Sequence, residues 1–150
     1  MKFIADSMLG KLAKWLRVLG YDTHYKSHYG QGVIDQLVED GRTLLSRQEK
    51  IVNSYDNAVL LQSHDTGGQL AELKEKIGFA PDRSKLFSRC LLCNVLLEEA
   101  DINEAKENVP EYVFYENMMG IRFCPSCCRY FWPGSHRERM ARKLRGWGFG

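Results

Sequence analysis

The sequence predicts an α/β domain around a parallel sheet, followed by a small cysteine-rich module. Three observations carry that prediction. Short apolar runs alternate with helix-period stretches over the first 86 residues, the rhythm of strands joined by crossover helices. Two Cys-x-x-Cys turns then follow, Cys90 with Cys93 and Cys124 with Cys127. Between these regions, Gly78-Phe79-Ala80-Pro81-Asp82-Arg83 has the composition of a linker. A chain of 150 residues is long enough for one ordinary domain, or for one of about ninety residues plus a small metal-held one.

The elements follow in order. Residues 2–5 form a short apolar strand that ends at Asp6. Ser7 is placed to cap the next helix, in which Leu9, Leu12, Ala13, Leu16 and Leu19 recur at helical spacing. Gly20 closes that helix as a left-handed cap. Its other side carries Lys11, Lys14, Trp15 and Val18, a basic stripe with an aromatic in it. A second strand is expected over 22–26, and a helix over 32–40 with Val33, Ile34, Leu37 and Val38 apolar and Gly41 as its stop. Residues 43–46 read as a buried strand, 48–55 as a short polar helix and 58–61 as another buried strand. Residues 69–77 close the domain as a helix with Leu70, Leu73 and Ile77 inward.

Each Cys-x-x-Cys turn folds two thiolates onto one side of a loop, and two such turns supply the four sulfurs of a closed tetrahedral zinc site. Asn94 follows the first pair, where a left-handed residue is often needed; at the second, Cys128 stands there instead. Thirty residues between the pairs make a ribbon with a long insert. Two disulfides, or thiols buried as small hydrophobes, are the competing readings. Nothing else in the chain suggests an oxidising compartment, which favours structural zinc on Cys90, Cys93, Cys124 and Cys127. Cys128 is left as a spare thiol or a competing ligand. The expected organisation is an α/β domain over 1–85, a zinc ribbon over 86–134 and a basic tail over 135–150.

No apolar run approaches the roughly 18 residues of a membrane span. Asp6 comes too early for a signal peptide. The expected setting is soluble, reducing and cytoplasmic. The net charge of +2 is unevenly spread: residues 1–86 sum to +1, 87–133 to −3 and 134–150 to +4. The insert is therefore a poor nucleic-acid surface and the tail a better one, although basic tails are also often merely solvated ends. The acidic insert and tail leave open a third role, as a protein-interaction adaptor. In it, residues 112–115 are expected as a ribbon strand rather than an exposed docking edge.

Ligands of an open parallel sheet bind beyond the carboxyl ends of its strands. Three such ends deliver Asp6, Ser46-Arg47-Gln48 and Ser63-His64-Asp65. Asp6 and Asp65 are placed to converge on Mg²⁺ or Mn²⁺, which a phosphodiesterase uses to orient water and neutralise phosphoryl charge. Each is equally a candidate helix cap, and for Asp65 the cap reading leads.

The stretch Phe3-Ile4-Ala5-Asp6, continued by Leu9-Gly10-Lys11-Leu12-Ala13-Lys14-Trp15-Leu16-Arg17-Val18-Leu19-Gly20-Tyr21-Asp22-Thr23, resembles the opening of the mut-seven C-terminal RNase family. Gly41-Arg42-Thr43-Leu44-Leu45-Ser46-Arg47, Leu86-Phe87-Ser88-Arg89-Cys90-Leu91-Leu92-Cys93-Asn94 and Phe131-Trp132-Pro133-Gly134-Ser135-His136-Arg137-Glu138-Arg139-Met140 match as well. The resemblance implies a PIN-like fold coupled to a zinc ribbon, RNA as substrate and metal-dependent phosphodiester cleavage. It implies catalytic roles for Asp6, Asp65 and, one helical turn from the family's position, Asp35. PIN-like domains often pair, so a homo-oligomer is compatible with it.

Two departures matter. The family's third-strand motif usually ends Thr-Arg-Asp, and here it ends Ser46-Arg47-Gln48; the acids that open the second helix are replaced by Gly30-Gln31-Gly32. A thinned acidic cluster binds metal poorly, so a degenerate domain that only binds RNA is the alternative to a hydrolase. Lys11, Lys14, Arg17, Arg47, Arg137, Arg139 and Arg142 are the candidate phosphate contacts under both. Trp132 reads as packing beneath the zinc knuckle and His136 as a capping or packing residue.

Overall fold

The computed structural model describes residues 1–149 and divides the chain into two compact units, Met1–Asn94 and Val95–Gly150. In the first, the elements run β1 (Lys2–Ala5), α1 (Gly10–Val18), β2 (Asp22–Tyr25), α2 (Val33–Glu39), β3 (Thr43–Ser46), α3 (Glu49–Val52), β4 (Ala58–Leu60) and α4 (Thr66–Ile77). The four strands form one parallel sheet in the order β2-β1-β3-β4. The α/β class and the parallel sheet are as the sequence predicts. The two central strands carry unbroken apolar runs because both of their faces are covered; Phe3, Ile4, Leu44 and Leu45 have no exposed surface.

Helix α1 buries Leu12, Ala13 and Leu16 and leaves Lys11 and Lys14 exposed. It begins at Gly10 with no side-chain cap, not directly after Ser7. Asp6 Oδ1 accepts the Met8 N–H at 2.8 Å, and Tyr25 donates its hydroxyl to Ser7 O at 2.9 Å. Those bonds hold the chain in a turn before the helix can start. Val18, expected on the polar side, is wholly buried, because Phe87 N–H donates to Val18 O and brings the segment after the linker over it. Gly20 has φ +93°, and a Cβ there would lie 2.5 Å from Lys85 O. Its lack of a side chain serves both the cap and this close approach. Helix α4 starts three residues earlier than the periodicity places it, since Asp65 caps it by accepting the Gly68 N–H at 2.7 Å.

The second unit contains β5 (Glu98–Glu99), α5 (Ile102–Asn108), α6 (Glu111–Asn117), β6 (Arg122–Phe123), β7 (Tyr130–Phe131) and α7 (Ser135–Gly146). Its strands form an antiparallel sheet in the order β5-β6-β7. Its core is Ala105, Val109, Val113, Phe114 and Ile121, with Ala100, Tyr130 and Trp132 packed against it. Trp132 is thus a packing residue here.

Residues 112–115 are helical, not a ribbon strand. Successive strand residues point to opposite faces, whereas Val113 and Phe114 are both buried in one core, which a helix permits. The basic segment after residue 134 is also largely helical: α7 buries Met140 and Leu144, and Phe149 N–H donates back to Leu144 O at 2.8 Å. His136 is exposed and makes no side-chain cap on α7.

Candidate metal and nucleic-acid sites

The parallel order β2-β1-β3-β4 places the topological switch point between β1 and β3, because the chain steps one way to β2 and the other way to β3. In sheets of this kind the crevice beyond that point is where ligands bind. Asp6 and Ser46 stand there, at the carboxyl ends of the two strands. Asp6 is buried, at 3% exposure, and its Oδ2 accepts the Ser46 hydroxyl. Ser46 Oγ in turn accepts the Gln48 N–H at 3.0 Å, and Asp6 N–H donates to Leu45 O at 3.0 Å. The carboxylate is thus held on one oxygen by the end of β3, through Ser46, and on the other by the turn after β1, through the Met8 N–H. The sequence places Ser46 at the end of the third strand but gives it no role; its bond to Asp6 comes from the register that sets β3 beside β1.

Two tyrosines bond the backbone carbonyls on either side of Asp6. Tyr29 donates to Ala5 O at 2.7 Å and accepts the Lys26 N–H at 3.1 Å, while Tyr25 reaches Ser7 O. Burial raises the Tyr29 hydroxyl above its ordinary pKa.

The other predicted acids are placed differently. Asp65 is exposed and caps α4, as its leading reading held. Asp35 lies exposed in the first turn of α2. It accepts the Tyr55 hydroxyl at 2.5 Å, a bond that pushes Tyr55 up to about 12. Gln48 is exposed at the N-cap of α3, with no side-chain cap bond. Arg47 approaches His64 Nδ1 at 2.7 Å.

Among the described residues, no three carboxylates bring ligand oxygens within 4.8 Å of one another. The acids therefore do not form an oxygen cage. They do fit a lesser role, since Mg²⁺ is commonly held by one or two carboxylates with substrate phosphates supplying further ligands. Each Asp6 oxygen retains a lone pair for that purpose.

The basic residues divide by burial. Lys11, Lys14, Arg47, Arg139 and Arg142 are exposed. Arg137 is half-buried, its pKa lowered by burial and by the charge of Arg122. Arg17 departs from its expected role as a phosphate contact. It is 7% exposed and donates to Thr23 O and Leu91 O, both at 2.9 Å, and to Leu92 O at 3.3 Å. Its guanidinium ties α1 to the first Cys-x-x-Cys turn, so its donors face backbone carbonyls instead of solvent. Burial lowers its pKa, against which the charges of Cys90 and Cys93 act.

A second polar cluster lies at the amino end of β2. Asp22 accepts Arg42 Nη1 at 2.8 Å and Asn94 Nδ2 at 2.7 Å. Asn94 Oδ1 also accepts the Thr23 N–H at 2.9 Å. Asn94, noted from the sequence only for its backbone, anchors the turn through its side chain as well.

The two Cys-x-x-Cys turns are near-copies. Asn94 N–H donates to Cys90 O at 2.8 Å, and Cys128 N–H to Cys124 O at 2.9 Å. Cys93 and Cys127 donate backbone N–H groups to Cys90 Sγ and Cys124 Sγ, each at 3.4 Å. Asn94 and Cys128 both take left-handed conformations, φ 69° and 62°. The Sγ atoms of Cys90, Cys93, Cys124 and Cys127 all lie within 4.8 Å of one another. Convergence of four sulfurs on one point is what a zinc ion requires and what two separate disulfides do not. Cys90 and Cys124 are fully buried; Cys128 is exposed and stands outside the set.

The chain matches the model of the family described as the Mut7-C RNAse domain over residues 1–144. No curated protein and no solved structure matches it. No helix among the described residues is long and apolar enough to cross a membrane.

Proposed function

Because the chain belongs to the Mut7-C RNAse domain family, we propose that it is an RNA-directed phosphodiesterase whose reaction centre is the crevice at the carboxyl ends of β1 and β3. The observation that carries this reading is the bond between Asp6 and Ser46 across the switch point. A buried carboxylate with both oxygens oriented by the protein is a pre-organised cation ligand. Asp6 would hold Mg²⁺ or Mn²⁺ together with the RNA phosphate, and such a cation would supply neutralisation of phosphoryl charge and orientation of the attacking water. Ser46 fixes the rotamer of Asp6. Asp65 and Asp35 add negative charge from the starts of α4 and α2. Lys11, Lys14 and Arg47 from the first unit, and Arg137, Arg139 and Arg142 on α7, supply backbone contacts. Zinc on the four cysteines is structural, because four thiolates leave no open position for a water. Its thiolates call for a reducing compartment such as the cytoplasm.

One specific observation favours a second reading, an RNA-binding scaffold without catalysis. Gln48 occupies the place where the family's motif carries a carboxylate, and Asp35 and Asp65 are both engaged in bonds of their own. The deciding experiment is cleavage of fluorescent single-stranded and hairpin RNAs with Mn²⁺, Mg²⁺ or neither, run beside Asp6→Asn and Gln48→Asp. Metal-dependent cutting lost in Asp6→Asn supports the phosphodiesterase. Salt-sensitive binding without cutting, with activity gained by Gln48→Asp, supports the scaffold.

A further inference from the structure

Helix α6 has two apolar faces, and only one of them serves the fold. Val113 and Phe114 point into the core of their unit. Tyr112, Tyr115 and Met119 recur at spacings of three and four on another side and are 67%, 57% and 87% exposed, with Met118 beside them at 44%. Single exposed apolar residues are ordinary, but four contiguous ones on one helix and its end mark a contact surface. Tyr and Met are the residue types that binding surfaces concentrate: Tyr for rigid amphipathic area, Met for adaptable packing.

The surroundings specify the partner. Residues 98–119 carry seven acids and one lysine, and all seven acids are exposed. Arg122, at 3.6 Å from Glu99, partly offsets one of them. A segment with a net charge of −6 by that count repels a phosphate backbone, which makes the stripe a poor seat for RNA. Complementarity instead calls for a cationic chain that also offers aliphatic side chains.

We infer that the Tyr112–Tyr115–Met119 stripe, on α6 and the turn after it, is a protein-docking surface for a basic amphipathic helix of another protein, whose aliphatic face covers the stripe while its lysines and arginines meet the carboxylates of the same segment, Glu111 and Glu116 of α6 among them. This inference does not rest on the proposed reaction, since it concerns none of the residues placed in the crevice or in the cysteine set.

The test uses the full chain and a fluorescein-labelled lysine–leucine peptide with leucines at helical spacing, beside a scrambled peptide of the same composition. Binding is read by anisotropy at low and at near-physiological salt. The amphipathic peptide is expected to bind roughly tenfold more tightly than the scrambled one, and a Tyr112→Ser/Met119→Ser variant to lose that advantage while melting like the wild type. Equal binding of the two peptides would reduce the surface to unspecific charge attraction and overturn the inference. So would a variant that binds as well as the wild type. Sedimentation of the chain alone supplies the remaining check: a dimer that the same variant dissociates would make a second copy the occupant, and a protein whose oligomeric state the variant leaves unchanged agrees with the docking surface.

Discussion

Replacing Asp6 by Asn separates the structural from the chemical part of the crevice. The carboxylate accepts two hydrogen bonds, from the Ser46 hydroxyl and the Met8 N–H, in a site with 3% exposure. Asn keeps one oxygen and can still accept from Met8. Its amide must then face Ser46 as a donor, and Ser46 Oγ already accepts from Gln48 N–H. The Ser46 hydroxyl proton is left to find another acceptor. Losing a bond to a charged acceptor while burying a mismatched donor costs about 2 kcal/mol. In a domain of this size each kcal/mol lowers Tm by roughly 4–8 °C, so Asp6→Asn is expected to melt about 10 °C below the wild type. The assay is thermal unfolding by circular dichroism, followed by RNA cleavage at a temperature where both proteins are folded. Cleavage is expected to vanish there. A variant that melts with the wild type would show that the Asp6–Ser46 bond contributes nothing to the fold. Full cleavage by a folded variant would remove Asp6 from the reaction.

Further predictions concern residues with other duties. Arg17→Leu strands three backbone carbonyls and should cost about 3 kcal/mol in denaturant unfolding, yet leave the salt dependence of RNA binding unchanged. Lys14→Ala should do the reverse, keeping stability and lowering the slope of log K against log salt by about 0.7 for single-stranded RNA. Burial pushes the Asp22 carboxyl up, but hydrogen bonds from Arg42 and Asn94 and the charges of Arg42 and Arg89 outweigh it and hold it below its ordinary value. A depressed carboxylate stabilises the fold above its unfolded pKa, about 3.9, and that contribution is lost as pH falls through the lower folded value. Arg42→Met should therefore move the acid-unfolding midpoint upward. Purified chain should contain about one zinc by elemental analysis, and chelation should open the C-terminal module to limited proteolysis, since the binding energy of a structural zinc is folding energy. Unchanged protection after complete removal would refute that role.

How far the sequence reaches depends on the range of the interaction being read. The parallel α/β class follows from residues near one another in the chain: the apolar runs at β1, β3 and β4, the helical spacing of Leu9, Leu12 and Leu16, and the caps at Gly20 and Gly41. The four cysteine ligands are legible for the same reason, because a Cys-x-x-Cys turn is a local device and its chemistry admits few partners. Asp6 was legible as a strand-end carboxylate, and Asp65 as a cap.

The tertiary structure decided everything that depends on which distant groups meet. Arg17 looks from its helix position like a solvated cation, and only the Cys90 turn, more than seventy residues away, converts it into a buried donor to carbonyls. Tyr112-Val113-Phe114-Tyr115 has strand-like composition, but the core of its unit needs two adjacent side chains on one side, which a helix provides and a strand does not. The seat of the candidate chemistry emerged in the same way. Ser46 acquires its role from the parallel register that sets β3 beside β1, and no local pattern encodes which strands become neighbours. The sequence by itself therefore determined the alternating elements of the parallel sheet, the glycine stops at Gly20 and Gly41 and the sulfur chemistry, because those are short-range. The pairing of Asp6 with Ser46, the burial of Arg17 and the outward face of α6 were fixed only by packing, which balances burial and hydrogen bonding over the whole chain at once.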